Sequence, residues 1–253
     1  MTGEPTQSTR AVLVTGAARG LAQGIVVDLA ARGHRVAFTH RPGGSSPDAT
    51  LALVRARGAD AIPIACDHAL EGATTAAVRE AQVALGAIEI LVHAVGPMIV
   101  RRFERMTPED YRAMFDTNVR SAVEAAQAVL PAMRAAKFGR LVFFGMKGSQ
   151  ATQPARGLTL YGAAKAAVVA FARALALEEG KHGITVNAIE PGDIADKTIA
   201  RAEATALAAD NATGHAGSWE DIADAVRFLI ADESGFLNGA VLAVDGGMAA
   251  QHG

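Results

Sequence analysis

Short apolar runs alternate along the chain with longer segments whose apolar residues recur at helical spacing. The runs are of strand length and several are apolar throughout, which is typical of strands covered on both faces by helices. They predict strands at residues 11–14, 35–39, 61–65, 88–93, 140–144, 184–189 and 240–244. The intervening segments predict helices at residues 20–32, 48–57, 70–85, 108–136, 158–180 and 220–231.

This alternation implies an α/β fold: a three-layer, doubly wound sheet of about seven parallel strands with right-handed crossovers. Two helix starts carry capping signals, at Thr107 before Pro108 and at Ser218 before Asp221. The pattern uses residues 10–253 in a single domain, and ligands of such sheets bind beyond the carboxyl ends of the strands.

The segment at residues 193–217 departs from the alternation. Its alanine-rich middle, residues 198–209, predicts a helix. We expect the segment to form a flap over a ligand. The alternative is a peripheral helical pair without a role.

The composition permits a large core and excludes several classes of protein. Half of the 253 residues are hydrophobic and the net charge is −2, which argues against wholesale disorder, a nucleic-acid partner or an anionic membrane. The most apolar stretch, Ala163 to Leu177, contains Lys165 and Arg173, so we do not expect it to span a membrane. Residues 1–9 are polar and predict a frayed lead-in without a secretory signal.

The sole cysteine, Cys66, permits no intrachain disulfide and favours a reducing, cytoplasmic setting. The seven histidines lack the spacing of metal ligands, so no metal is expected.

A glycine turn follows the first predicted strand, in the segment Thr15-Gly16-Ala17-Ala18-Arg19-Gly20-Leu21-Ala22. Glycines between a strand and a helix let the backbone approach a pyrophosphate, whose charge then lies at the helix N-terminus. The turn therefore predicts a dinucleotide site.

Tyr161 and Lys165 stand four residues apart in a predicted helix and share one of its faces. A nearby ammonium lowers the pKa of a phenol, which makes the pair a plausible proton donor and acceptor for a carbonyl–alcohol couple. On spacing alone, such a pair is more often a packing or surface pair.

The two motifs together resemble the Thr-Gly-x-x-x-Gly-x-Gly and Tyr-x-x-x-Lys signatures of the short-chain dehydrogenase/reductase family. The similarity extends from Val12 to Gly247, with Ala22 in place of the third glycine. The resemblance implies a Rossmann-type, NAD(P)H-dependent oxidoreductase. It also implies that Tyr161 protonates the substrate oxygen, Lys165 holds the ribose and lowers the tyrosine pKa, and Asn118 holds a water linking Lys165 to solvent.

The same resemblance implies a cofactor site along the carboxyl ends of the strands. Its expected members are Gly16, Arg19, Gly20, Leu21, His40, Arg41, Asp67, Val95, Gly96, Asn118, Tyr161, Lys165, Pro191, Gly192 and Ile194. His93 replaces the first asparagine of the family's Asn-Asn-Ala-Gly, so Val95 and Gly96 are expected to act through their backbone. Asp196 stands where the family often has a threonine, and Thr198 is a candidate substitute.

The sequence after the second strand predicts NADPH in preference to NADH. No acid lies between Gly33 and Pro47, where NAD-selective sites place a carboxylate for the ribose hydroxyl. Arg41 is placed to bind a 2′-phosphate and Arg19 to assist it, since guanidinium groups bind phosphate in a bidentate fork. The alternative is that both arginines are solvated surface charges.

The serine with which the family polarises the substrate carbonyl has no unambiguous counterpart. Counting forward from the fifth strand places it at Met146, whereas counting back from Tyr161 places it at Ser149. Ser149 is the candidate catalytic residue and Thr152 a weaker one. A backbone amide near Gly145 or Met146 is the third alternative.

These features predict a ketoreductase acting on a 3-oxoacyl or polyketide-like ketone or acyl thioester. The substrate could be bound to a carrier protein, for which Arg101, Arg102 and Arg105 offer a basic patch; a solvated loop is the alternative. The resemblance implies a homotetramer or homodimer. Rival functions are an alcohol dehydrogenase acting oxidatively and a non-catalytic, cofactor-binding sensor or scaffold.

Overall fold

The computed structural model describes residues 8–149, 156–192, 194–195 and 197–248. One parallel sheet runs through it, in the order β3-β2-β1-β4-β5-β6-β7. Its strands are β1 (Ala11–Thr15), β2 (Arg35–His40), β3 (Ala61–Ala65), β4 (Ile90–His93), β5 (Gly139–Phe144), β6 (Ile184–Pro191) and β7 (Val241–Val244). All seven predicted strands are therefore confirmed.

Helices cover both faces of the sheet. They are α1 (Gly20–Ala31), α2 (Asp48–Arg55), α3 (Ala73–Leu85), α4 (Pro108–Phe115), α5 (Ser121–Ala136), α6 (Thr159–Glu179), α7 (Arg201–Ala204) and α8 (Trp219–Ile230). Short 3-10 helices lie at Phe103–Arg105, Gly180–His182 and Asp232–Phe236.

Every residue of the central strands β1 and β4 is buried, as expected from their continuous apolar runs. On one face Leu13, Leu91 and Leu141 pack under α3, α5 and α6, and on the other Val12 and Ile90 pack under α1 and α8. Burying one such side chain contributes roughly 1.5–3 kcal/mol. The two apolar layers hold the strand ends in fixed positions, which is what a site at that edge requires.

Close packing of α1 against α8 depends on a glycine. A Cβ atom on Gly24 would lie 2.5 Å from Cε3 of Trp219, so only a residue without a side chain admits the indole there. Trp219 is the first residue of α8, directly after Ser218, whose hydroxyl accepts a hydrogen bond from the Asp221 amide. Thr107 caps α4 in the same way through Asp110, and both predicted caps are confirmed.

The predicted helix at 108–136 is interrupted. A π-helical turn, Asp116–Arg120, separates α4 from α5. Single π turns inside α-helices frequently occur at functional sites, and this one carries Asn118.

The predicted helix at 198–209 shrinks to the single turn of α7. Thr205 donates its hydroxyl to the Arg201 carbonyl at 2.6 Å, and Ala208 then pairs with His215 in an antiparallel bridge. Threonine side chains that bond locally to the backbone compete with helix continuation, and so short an alanine-rich segment is marginal as a helix. Ile194 pairs with Gly217, which brings the two ends of this segment together.

Among the described residues, one helical segment, Thr159–His182, is long and apolar enough to cross a membrane by length and composition alone. It contains α6, whose Val168 and Ala172 are buried in the core beside β5 and β6. These are the contacts of a core helix.

Candidate active site

A cleft of about 1350 Å³ opens at the carboxyl ends of the strands. Drug-sized ligands occupy pockets of roughly 300–1,000 Å³, so the cleft has room for a larger ligand or for two. Its wall includes most of the predicted site residues: Gly16, Arg19, Gly20, Leu21, Arg41, Asp67, Val95, Gly96, Tyr161, Lys165, Pro191, Gly192 and Ile194. Asn118, His40 and Ser149 lie outside that wall.

The glycine turn has the backbone shape that a bound phosphate needs. Gly16 and Gly20 both have a φ of +69°, which side chains rarely allow. Within the described residues, no side chain caps the first turn of α1 and no acidic residue lies in it, and its residues Gly20, Leu21 and Ala22 line the cleft. Arg19 and Lys197 line the cleft here, with Cδ of Lys197 3.6 Å from where a Gly20 Cβ would be. The turn therefore fits the pyrophosphate of a dinucleotide.

Arg41 lines the cleft with its side chain 72% exposed. Its Nε is 3.3 Å from Oδ2 of Asp67, and an ion pair this exposed is weak. The carbonyl of the neighbouring His40 accepts a hydrogen bond from the Cys66 amide. Of the two residues, only Arg41 extends to the cleft.

His93, at the end of β4, is buried in a chain of hydrogen bonds. Ser121 donates to the Thr117 carbonyl at 2.5 Å, so its oxygen accepts from His93 Nε2 at 3.0 Å. Nδ1 then accepts from the Thr15 hydroxyl at 3.1 Å. Burial holds the pKa of His93 well below its usual value, so the ring is neutral and every partner is satisfied. His93 thereby ties the phosphate turn to the helix pair that carries Asn118.

Tyr161 and Lys165 lie on the first turns of α6, where the helix meets the cleft. Nζ of Lys165 is buried, donates to the Phe144 carbonyl at 2.9 Å and lies 5.7 Å from the centre of the Tyr161 ring. Burial lowers the pKa of Lys165 to about 8. Burial raises the pKa of Tyr161, because loss of water around the phenol disfavours the phenolate. This is the opposite direction to that expected from a neighbouring ammonium.

Asn118 stands beside this pair in the π turn. Its Nδ2 donates to the Met114 carbonyl at 2.9 Å, whereas Oδ1 is buried and has no hydrogen-bond partner within the described part of the chain. Gly96 separates the two groups: a Cβ there would lie 1.9 Å from Asn118 Oδ1 and 3.2 Å from Lys165 Nζ. An unpaired buried acceptor beside an ammonium is a natural position for a water molecule.

Ser149 lies behind the cleft, 7% exposed. Its hydroxyl accepts from the Met146 amide at 3.0 Å and lies 2.7 Å from Oε1 of the buried Glu190. The Gly145 amide donates to the Ile189 carbonyl, so the backbone amides proposed as alternatives are also engaged. Thr152 and Asp196 lie outside the described residues; Thr198 is exposed.

Several cleft residues went unnoticed in the sequence. Lys147 and Lys197 bring positive charge to the wall, and an apolar part is formed by Met98, Ile99, Met146 and Leu158. In the sequence, the lysine next to a glycine in Lys147-Gly148 was the feature that could have indicated a charged turn after the fifth strand. Of the basic patch, Arg101 pairs with Asp110, whereas Arg102 and Arg105 are exposed. No group of three or more metal-ligating side chains occurs within residues 8–149, 156–192, 194–195 and 197–248.

Comparisons with known proteins match nearly the whole chain. A family model described as enoyl-(acyl carrier protein) reductase matches residues 16–249. The short-chain reductase protein NovJ of Streptomyces niveus is 36% identical over 248 residues, 93% of this chain and 92% of NovJ. The 3-oxoacyl-(acyl-carrier-protein) reductase MabA of Mycobacterium avium is 32% identical over 261 residues, 99% of this chain and 94% of MabA. The crystal structure of a blue fluorescent protein from a metagenomic library, in complex with NADPH, is 33% identical and superimposes with a TM-score of 0.81, covering 95% of this chain and 98% of the other.

Fold and comparisons together define a Rossmann-type oxidoreductase that uses a nicotinamide dinucleotide. The chain belongs to the short-chain dehydrogenase/reductase family.

Proposed function

We propose that this protein is an NADPH-dependent ketoreductase in which Tyr161 gives a proton to the substrate oxygen. The observation that carries the proposal is the group formed by Tyr161 and the buried Lys165 ammonium on the cleft wall and the unpaired Oδ1 of Asn118 beside them, next to Gly96. NADPH in the blue fluorescent protein and the names of NovJ and MabA support the same class of reaction.

The raised pKa of Tyr161 suits an acid in the reductive direction, because the phenol stays protonated at neutral pH until the substrate oxygen becomes basic. Lys165, with a pKa of about 8, then faces a phenolate and can pass on a proton. A water at Asn118 Oδ1 would resupply it from solvent. A bound NADPH supplies the hydride, and the residues of this chain supply the proton and the geometry.

We place the dinucleotide along the glycine turn and the ends of β2, β4 and β6, with Pro191, Gly192 and Ile194 beside the nicotinamide. Leu21, Val95 and Gly96, which also line the cleft, would hold the dinucleotide as well. Residues 193–217 act as a flap over the substrate in this proposal, which is supported by the positions of Ile194 and Lys197 on the cleft wall.

Cofactor preference provides the first prediction. Arg41→Ala should raise the Michaelis constant for NADPH about 10–100-fold, the cost of losing a charged hydrogen-bond partner, and leave that for NADH nearly unchanged. Steady-state kinetics with both cofactors measure this. Arg55→Ala is the matched control, since Arg55, the last residue of α2, is also exposed and also pairs with an aspartate, Asp60, but does not line the cleft. Equal effects on both cofactors would contradict a 2′-phosphate site at Arg41.

The apolar wall favours a hydrophobic ketone or a 3-oxoacyl thioester as substrate. A carrier protein presenting it would meet the exposed Arg102 and Arg105, since carrier proteins are acidic. We further propose a cytoplasmic homotetramer or homodimer, as its family membership favours.

The proposed function is tested by NADPH oxidation across a panel of 3-oxoacyl thioesters, cyclic ketones and aromatic ketones. We expect turnover of at least one group, with activity rising toward longer acyl chains. NADPH binding without reduction of any ketone would instead favour a sensor or scaffold.

A further inference from the structure

The segment from Met146 to Ser149 forms a tight turn at the edge of the cleft. The Ser149 amide donates to the Met146 carbonyl at 2.9 Å, and Gly148, third in the turn, has a φ of +73°. Lys137 is the only non-glycine residue of the described chain with a positive φ, so Lys147, second in the turn, has a negative one. This is a type II turn, which requires glycine at its third position and places Lys147 at the corner.

The carboxylate of Glu190 holds this turn in place through hydrogen bonds. Glu190 is 1% exposed, and its two carboxylate oxygens accept from the Gly148 amide at 3.1 Å and the Ser149 hydroxyl at 2.7 Å. A serine hydroxyl has a single proton to donate, and the acceptors it faces are Oε1 of Glu190 at 2.7 Å and the Met146 carbonyl of the same turn at 2.8 Å. The Ser149 hydroxyl therefore serves the turn.

The side chain of Lys147 lies on the cleft side of this turn. It is partly buried and lines the cleft together with Phe144, Met146 and Tyr161. No carboxylate within the described residues forms an ion pair with it. An ammonium has three donors and a full positive charge, so it can perform the task of a neutral hydroxyl with a stronger hydrogen bond.

We propose that Lys147 is a catalytic residue that donates a hydrogen bond from its ammonium to the substrate carbonyl oxygen, with Glu190 as the positioning residue that holds its turn. This rests on the proposed ketoreductase function. As hydride adds to the carbonyl carbon, the π electrons of the C=O bond move to oxygen. Lys147 stabilises that negative charge while keeping its own protons. Tyr161 then delivers the proton that completes the alcohol.

The test compares kcat, KM and NADPH affinity in single variants. Lys147→Met should lower kcat on the order of 100-fold, as loss of an oxyanion donor does, with NADPH affinity unchanged in a fluorescence titration. Lys147→Arg should recover much of kcat, and ethylammonium should partly rescue Lys147→Ala. Lys181→Met, in an exposed 3-10 helix, is the control for loss of a lysine. Ser149→Ala should cost less than about threefold if its role is structural. Glu190→Gln should retain more activity than Glu190→Ala.

Three results would overturn the assignment. In the first, Lys147→Met keeps more than about a third of wild-type kcat while Ser149→Ala loses on the order of 100-fold. That result would assign the hydrogen bond to the carbonyl oxygen to Ser149. A rise in KM alone would make Lys147 a binding group for an anionic part of the substrate. A wild-type protein that binds NADPH and reduces no ketone refutes the proposed function and Lys147 with it. Circular dichroism of each variant identifies misfolding. If Lys147→Met misfolds, the kcat of Lys147→Arg and the ethylammonium rescue of Lys147→Ala decide whether Lys147 has the catalytic role.

Discussion

Tyr161→Phe should lower ketone reduction about 1,000-fold, within the range that general acid–base catalysis contributes. The substitution removes only the phenolic hydroxyl group and leaves the ring, which packs 5.7 Å from Nζ of Lys165. NADPH affinity and thermal stability should stay close to wild type. Single-turnover measurement with pre-bound NADPH isolates the chemical step.

The chain provides its own control for this variant. Its other tyrosine, Tyr111, is 52% exposed and stacks on Phe115 outside the cleft. Tyr111→Phe should leave kcat unchanged. Ketone reduction that survives in Tyr161→Phe refutes the acid role of Tyr161, whatever the effect of Tyr111→Phe.

Gly96→Ala should abolish most activity without touching a reacting group. The added methyl would lie 1.9 Å from Asn118 Oδ1 and 3.2 Å from Lys165 Nζ, so both side chains must move. A misplacement of about 1 Å in a catalytic group can cost about 100-fold in rate. The φ of +151° at Gly96 adds backbone strain, so we also expect a loss of about 2–3 kcal/mol in unfolding free energy. Turnover and urea denaturation measure the two effects.

Gly33→Ala is the control that separates the effect of backbone strain from that of displacing Asn118 and Lys165. Gly33 has a φ of +87° but nothing within 4 Å of its absent Cβ, so alanine there costs only strain, about 1 kcal/mol. Its kcat should be that of the wild type. Equal kcat values for the two variants would show that Asn118 and Lys165 do not depend on the space at Gly96.

Most of the fold was accessible from the sequence because parallel strands buried on both faces leave continuous apolar runs. The helix at 108–136 shows the limit: a π turn inserts one extra residue without changing the apolar pattern around it. The predicted helix at 198–209 shows another limit, since alanine promotes helix in isolation and here yields to Thr205 and the Ala208–His215 bridge.

The site divided along similar lines. Residues in a helix, such as Tyr161 and Lys165, or directly after a strand, such as Gly16, line the cleft as their spacing predicts. The turn after β5 did not follow from counting, because its shape depends on Glu190, 41 positions from Ser149. The direction of the Tyr161 pKa shift was equally inaccessible, since burial is a property of the folded chain.

The packing of Trp219 against Gly24 has a practical consequence for spectroscopy. It is the only tryptophan of the chain, so all indole emission comes from one position. That position touches α1, the helix that begins at the glycine turn, and lies two residues after Gly217. The protein therefore carries an optical reporter between α1 and α8, and its signal can be followed in unlabelled protein.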